Sequence, residues 1–207
     1  MTRLGLVDYG MGNLHSVQRA FERLGAEVVP VQGGAAMEPC AALVLPGVGA
    51  FDPAMERLAS ADLVEPLRRS CAAGRPLLGI CLGLQLLFER SEEGRGEGLG
   101  LLPGHVAALA RWPGHPIPHM GWAPLLPAEP SPLLPPRAPT PWMYFVHSYA
   151  AVPTDPTCVT ARVAWGEGAV TAAIWKDGIA ACQFHPEKSS AAGAAMLRRW
   201  LDWVERV

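Results

Sequence analysis

Residues 77–84, Leu77-Leu78-Gly79-Ile80-Cys81-Leu82-Gly83-Leu84, decide how this chain is read. The apolar run 76–80, short enough for a buried strand, passes through Gly-x-Cys-x-Gly into a helical segment expected over 82–91. Glycines two residues before and two after a nucleophile leave space for a strained turn that lifts its side chain clear of the strand. The helix then points its N-terminus at the sulfur, a field that favours thiolate. A buried cysteine filling the core between two flexible glycines is the plain alternative, and the strand and helix on either side of Cys81 argue against it.

Outward from this elbow the same rhythm repeats. The apolar run 4–8 ends in Asp8, and Gly10-Met11-Gly12-Asn13 precedes a helical pattern with Leu14, Val17, Phe21 and Leu24 on one face and Gly25 as its stop. Runs at 27–31 and 41–45, a helical stretch at 62–73 and the run into Cys81 follow. Strands alternating with helices imply an α/β fold with a mostly parallel central sheet flanked by helices. Beyond 91 the pattern becomes irregular, and 127–141 holds seven prolines, which reads as a surface loop. Order returns at 143–148, 158–165 and 169–183. Asp177-Gly178 breaks the last run into a tight hairpin and adds a small antiparallel extension. Residues 190–206 close the chain as an amphipathic helix with Met196, Leu197, Trp200, Leu201 and Val204 on its apolar side. With no internal repeat and no domain-sized linker, 1–207 is expected to be a single domain.

Composition narrows the function. Among 207 residues half are hydrophobic and 17% charged, a globular balance. Seventeen Lys plus Arg against nineteen Asp plus Glu lack the basic excess of a nucleic-acid binder, and no apolar stretch reaches the ~20 residues of a spanning helix. The first residues carry no secretory signal, and five cysteines without paired spacing fit reduced thiols, so the chain is expected in the cytoplasm. Two other site patterns fail. In Gly10-x-Gly12 the third glycine of a dinucleotide fingerprint is replaced by His15, and Cys182-x-x-His185 has half a zinc site with no second pair, so no metal or cofactor is expected. His115 and His119, separated by a proline-bearing stretch, read as surface residues.

A thiol nucleophile needs a base, and Gln183-Phe184-His185-Pro186-Glu187-Lys188-Ser189 offers one directly after the final strand. In an extended segment His185 and Glu187 share a side, so the carboxylate can hold the imidazole while the other ring nitrogen faces Cys81. An oxyanion hole is expected from the Leu82 amide together with an amide of Val48 or Gly49 in Pro46-Gly47-Val48-Gly49, at the end of another parallel strand.

Together these pieces make the chain resemble, over nearly its whole length, the class I, triad-type glutamine amidotransferases, whose fold is flavodoxin-like. Within them it looks most like the glutaminase subunits of imidazole glycerol phosphate synthases. The stretches carrying that likeness are Tyr9-Gly-Met-Gly-Asn13, Pro46-Gly-Val-Gly49, Pro118-His-Met-Gly-Trp122, Tyr144-Phe-Val-His-Ser-Tyr149 and Lys188 after the triad glutamate. The resemblance implies that Cys81, His185 and Glu187 are catalytic, with L-glutamine as substrate. It implies that Gln85 and Glu93 contact the amino-acid end of glutamine and that His147, Ser148 and Tyr149 line the same pocket. It implies a cyclase subunit, a (β/α)8 barrel, as heterodimer partner in histidine biosynthesis, with Asn13, Trp122 and Lys188 near the interface. Ala123 departs from the Asn expected after the Gly-Trp pair. Alternatives are another triad amidotransferase subunit, a redox sensor using Cys81, and a cysteine peptidase; partner identity and a glutamyl thioester distinguish them.

Overall fold

Apolar runs of five or six residues, separated by amphipathic helices, form the first half of a nine-stranded sheet in the computed structural model, which describes residues 1–134 and 140–207. The chain runs β1 (Arg3–Val7), α1 (Leu14–Glu22), β2 (Glu27–Val31), β3 (Ala42–Gly47), α2 (Phe51–Ser60), α3 (Val64–Ala72), β4 (Leu77–Cys81) and α4 (Leu82–Leu86). β1 pairs with β2 and β3, and β3 with β4, all parallel. Every residue of β3 and β4 is buried, as befits strands covered on both faces. Leu43 and Leu45 pack with Phe51, Leu58 and Leu67 from α2 and α3; Ala42 and Val44 face the opposite layer with Val17 and Phe21 of α1. The α1 ends follow local chemistry: Asn13 Oδ1 accepts the Ser16 N–H at 3.4 Å, and Gly25 at φ +87° turns the chain after its N–H reaches the Glu22 carbonyl.

The second half contains β5 (Arg90–Ser91), β6 (Gly104–Ala108), β7 (His119–Pro127), β8 (Trp142–His147), β9 (Tyr149–Pro153), β10 (Val159–Trp165), β11 (Gly168–Lys176), β12 (Ile179–Cys182) and α5 (Ser190–Val204). The large sheet has the order β2-β1-β3-β4-β12-β11-β10-β7-β8, parallel as far as β12 and antiparallel beyond it. β5, β6 and β9 form a second, three-stranded sheet. The expected hairpin joins β11 to β12, with Asp177 and Gly178 at φ +49° and +84°, the two positive values of a tight hairpin turn. α5 lays Met196, Leu197, Trp200, Leu201 and Val204 on the layer shared with α1. Among the described residues no helix is long and apolar enough to cross a membrane.

Three differences from the sequence expectations have physical causes. α4 stops at Leu86 instead of reaching 91, because the carbonyls of Leu86, Leu87 and Phe88 are taken by the amides of Leu99, Leu101, Leu102 and Gly100 from the following loop. A strand, β7, occupies the irregular region and runs through Pro127, so the surface loop expected at 127–141 starts later; its residues 135–139 lie outside the described residues. β7 tolerates Pro124 and Pro127 because its first six residues pair only with β8 and its last three only with β10, so each proline leaves one side without a ladder. α2, unmarked in the sequence reading, is closed from outside: Glu93 Oε2 accepts the Phe51 N–H at 2.8 Å at its first turn.

The elbow rests on close backbone approach. A Cβ on Gly83 would lie 1.8 Å from the Leu45 carbonyl oxygen, and one on Gly79 would lie 2.9 Å from the carbonyl oxygen of Gly83. Gly83→Ala is therefore expected to cost about 3 kcal/mol by overpacking. Urea unfolding measures this against Gly33→Ala, where a Cβ meets nothing within 4 Å and the cost stays within about 0.5 kcal/mol.

Candidate active site

The register of three neighbouring parallel strands assembles the site. Gly47 at the end of β3 pairs with Cys81 at the end of β4, and Cys182 of β12 pairs with Ile80. The loops leaving β3, β4 and β12 therefore meet at the carboxyl edge of the sheet, where open α/β sheets place their ligand crevices. Cys81 sits at φ +56°, ψ −111°, a strained conformation for a residue bearing a Cβ, costing of order 1–3 kcal/mol and held by the packing of Gly79 and Gly83.

His185 and Glu187 do pair, through a geometry other than the extended segment expected. Pro186–Lys188 form a 3-10 turn, and this turn brings Glu187 Oε1 to 2.8 Å from His185 Nδ1, with both side chains almost fully buried. The ring is fixed from behind. The His185 N–H donates to the Tyr144 carbonyl at 2.9 Å, while Ser189 Oγ donates to the His185 carbonyl at 2.6 Å and accepts the Tyr144 N–H at 3.0 Å. His185 Nε2 is buried without a hydrogen-bond partner. Burial alone would lower the His185 pKa; the Cys81 sulfur, and then the Glu187 carboxylate, outweigh it and raise the value to about 9.

That shift has a defined consequence. An unfolded imidazole titrates near ~6.5, so His185 contributes stability that is fully present below that pH and lost as pH rises through 9. The thermal midpoint should fall more steeply between pH 6.5 and 9 in the parent than in His185→Gln; equal slopes would contradict the pairing.

A cavity of about 300 Å³ opens over these groups. It brings together Cys81 and His185, the expected oxyanion residues Leu82, Val48 and Gly49, and all five expected substrate residues, Gln85, Glu93, His147, Ser148 and Tyr149; Pro118 and Val146 complete its wall. Glu187 lies behind His185 rather than in the wall. Gly49 adopts φ +97°, and the buried Tyr9 hydroxyl steadies the same loop by donating to the Pro46 carbonyl at 2.9 Å. With Glu93 Oε2 occupied by the Phe51 amide, its Oε1 is left for other partners.

Outside the cavity, Trp122 is half exposed with its ring edge-on to Tyr144, Lys188 is exposed, and Asn13 caps α1. His119 is half-buried rather than a free surface residue: it stacks on Phe145 with centroids 5.0 Å apart and places Nδ1 3.0 Å from His147 Nε2. Since the Tyr149 carbonyl can only accept, His147 donates to it through Nδ1 at 2.8 Å, and neutral His147 accepts from His119. Burial lowers the His147 pKa to about 4, which keeps it in this neutral form. Among residues to which the sequence assigns no role, Gln183 and Ser189 also reach the site; both stand in the stretch around His185, and only their distant partners, Gln85 and Tyr144, disclose them.

The glutamine amidotransferase class-I family model matches residues 5–203. A curated relative from Parasynechococcus marenigrum (strain WH8102), imidazole glycerol phosphate synthase subunit HisH 2, is 58% identical over 98% of this chain and 96% of its own length. The HisH subunit of Synechococcus sp. (strain CC9902) is likewise 58% identical, over 98% and 95%. Among solved structures, a glutamine amidotransferase crystal structure superposes with a TM-score of 0.76 at 19% identity, covering 98% of each chain. PurLQS from Thermotoga maritima gives 0.77 at 19%, covering 98% of this chain and 99% of that one.

Proposed function

Because this chain belongs to the glutamine amidotransferase class-I family, we propose that it is the glutaminase subunit of imidazole glycerol phosphate synthase. It hydrolyses L-glutamine to glutamate and passes the ammonia to a cyclase subunit, a (β/α)8 barrel, within histidine biosynthesis. The observation that carries the reading is Cys81 and the Glu187-held His185 opening on one cavity with the expected glutamine contacts, in a chain similar to HisH relatives over nearly its full length.

The geometry supports the following mechanism. The Cys81 thiolate attacks the carbonyl carbon of the glutamine side-chain amide, and the oxygen gathers negative charge facing the Leu82 amide and an amide of Val48 or Gly49. Protonated His185 gives its Nε2 proton to the departing nitrogen as the C–N bond breaks, leaving ammonia, a glutamyl thioester and a neutral imidazole. His185 then takes a proton from water, whose oxygen attacks the thioester, and the C–S bond breaks to release glutamate and restore the thiolate. Glu187 holds Nδ1–H throughout and stabilises the imidazolium. Glu93 Oε1 and Gln85 meet the amino-acid end of the substrate, beside residues 147–149.

Ammonia that reaches bulk water at neutral pH becomes ammonium and loses its nucleophilicity, so a shielded transfer to the acceptor-binding partner is required. The exposed Met120 and Trp122 on β7, with Lys188 and Asn13, form the docking face in this reading. All five cysteines are free, which suits the reducing cytoplasm, where we place the enzyme. Glutamine labelled in its amide nitrogen tests the assignment: with the cyclase subunit and its nucleotide substrate present, label should enter the imidazole product. Label recovered only as free ammonium would contradict the partner assignment and leave the glutaminase chemistry standing.

A further inference from the structure

The cavity wall and the triad leave one buried amide unaccounted for. Gln183 follows β12 directly, is fully buried, and does not line the cavity. Its Oε1 accepts from Gln85 Nε2 at 3.0 Å, and its own Nε2 lies 3.9 Å from Cys81 Sγ. The sense of this side chain is set by a group that cannot turn around. The Tyr149 carbonyl accepts the His147 Nδ1–H at 2.8 Å and Gln85 Nε2 at 3.2 Å. An oxygen of Gln85 facing that carbonyl would oppose acceptor to acceptor, so Gln85 presents its NH2 group. That group then meets Gln183, which must answer with its oxygen, and the Gln183 NH2 is left facing sulfur.

We propose that Gln183 is a positioning residue for Cys81, directing an amide N–H at the sulfur in a sense imposed by the Tyr149 carbonyl through Gln85. A donor aimed at Sγ favours the charged sulfur and restrains the side chain on its strained turn before glutamine arrives. At 3.9 Å the contact is at the long end for an N–H facing sulfur, and it weights the charged sulfur over the thiol. Held by the core, the donor needs no reorganisation during the reaction. The inference rests on Cys81 as nucleophile, but its test needs neither glutamine turnover nor a partner.

The test is the pH profile of Cys81 alkylation by iodoacetamide in the full chain, followed by peptide mapping because four other thiols are present. Gln183→Met removes the donor at similar length. Gln85→Met keeps Gln183 but removes the NH2 group that fixes its sense, adding no charge, so Gln183 is free to turn its oxygen to sulfur. Both variants should move the alkylation midpoint upward by about one pH unit, with a roughly tenfold slower reaction below it. Gln183→Met should also lower kcat for glutamine while leaving KM nearly unchanged, since residue 183 is not in the cavity wall. If Gln183→Met fails to fold, judged by circular dichroism, Gln85→Met carries the test. A midpoint unchanged in a folded variant overturns the proposal, including the case where kcat falls, because a merely structural loss would lower activity without moving the profile.

Discussion

Cys81→Ala is expected to abolish glutamate release, by about 10⁴-fold or more, while the protein keeps its fold and still binds glutamine. In the proposed mechanism Cys81 is the nucleophile, and its sulfur contributes little to packing beyond its own small volume. Alanine accepts the same strained backbone with the same Cβ, so the unfolding free energy should change by no more than about 1 kcal/mol. Calorimetric titration with glutamine separates lost chemistry from lost structure: binding retained with turnover gone is the expected pair of results. Cys81→Ser should lose nearly as much, because a hydroxyl is not ionised beside His185 at neutral pH and is a weaker nucleophile.

Glu187→Gln is expected to lower kcat by about 10³- to 10⁴-fold with little change in KM. The carboxylate lies behind the imidazole and outside the cavity wall, so substrate binding does not involve it. With an amide in its place, an NH2 facing His185 Nδ1 would turn that nitrogen into an acceptor, or an oxygen facing it would hold the tautomer without the charge. Either way the imidazolium of the proposed mechanism loses its stabilisation. The variant should also lose part of the pH-dependent stability between 6.5 and 9, since Glu187 is one of the groups that raise the His185 pKa. A large loss of activity with an unchanged pH slope would mean that Glu187 acts on ring orientation alone.

Most of the site was legible because its parts are local. The elbow around Cys81, the turn at 47–49 and the stretch from Gln183 to Ser189 are each a few residues long, and parallel strand order alone brings their ends together. What escaped depends on partners far along the chain. Gln183 meets residues 98 and 102 positions away, and no local signal distinguishes such an amide from ordinary core polarity. His119 lies next to a proline, and only its ladder partner across β7 and β8, His147, shows that it points inward. Glu93, which only the family resemblance singles out, also closes the N-terminus of a helix 42 positions earlier. His185 and Glu187 meet through a 3-10 turn where the spacing suggests an extended segment, because the fold around Pro186 is set by contacts beyond the local stretch. The short α4 makes the same point, since its apolar pattern permits a longer helix and the loop at 98–102 claims the carbonyls that would extend it.

Glutamate release from glutamine, followed in the purified chain alone and with the cyclase subunit and its nucleotide ligand, with Cys81→Ala as the blank, tests the central claim most directly. Weak release alone, strong stimulation by the liganded partner and none in the blank is the expected result. Release that survives in Cys81→Ala, or no glutamate in any mixture, would contradict it.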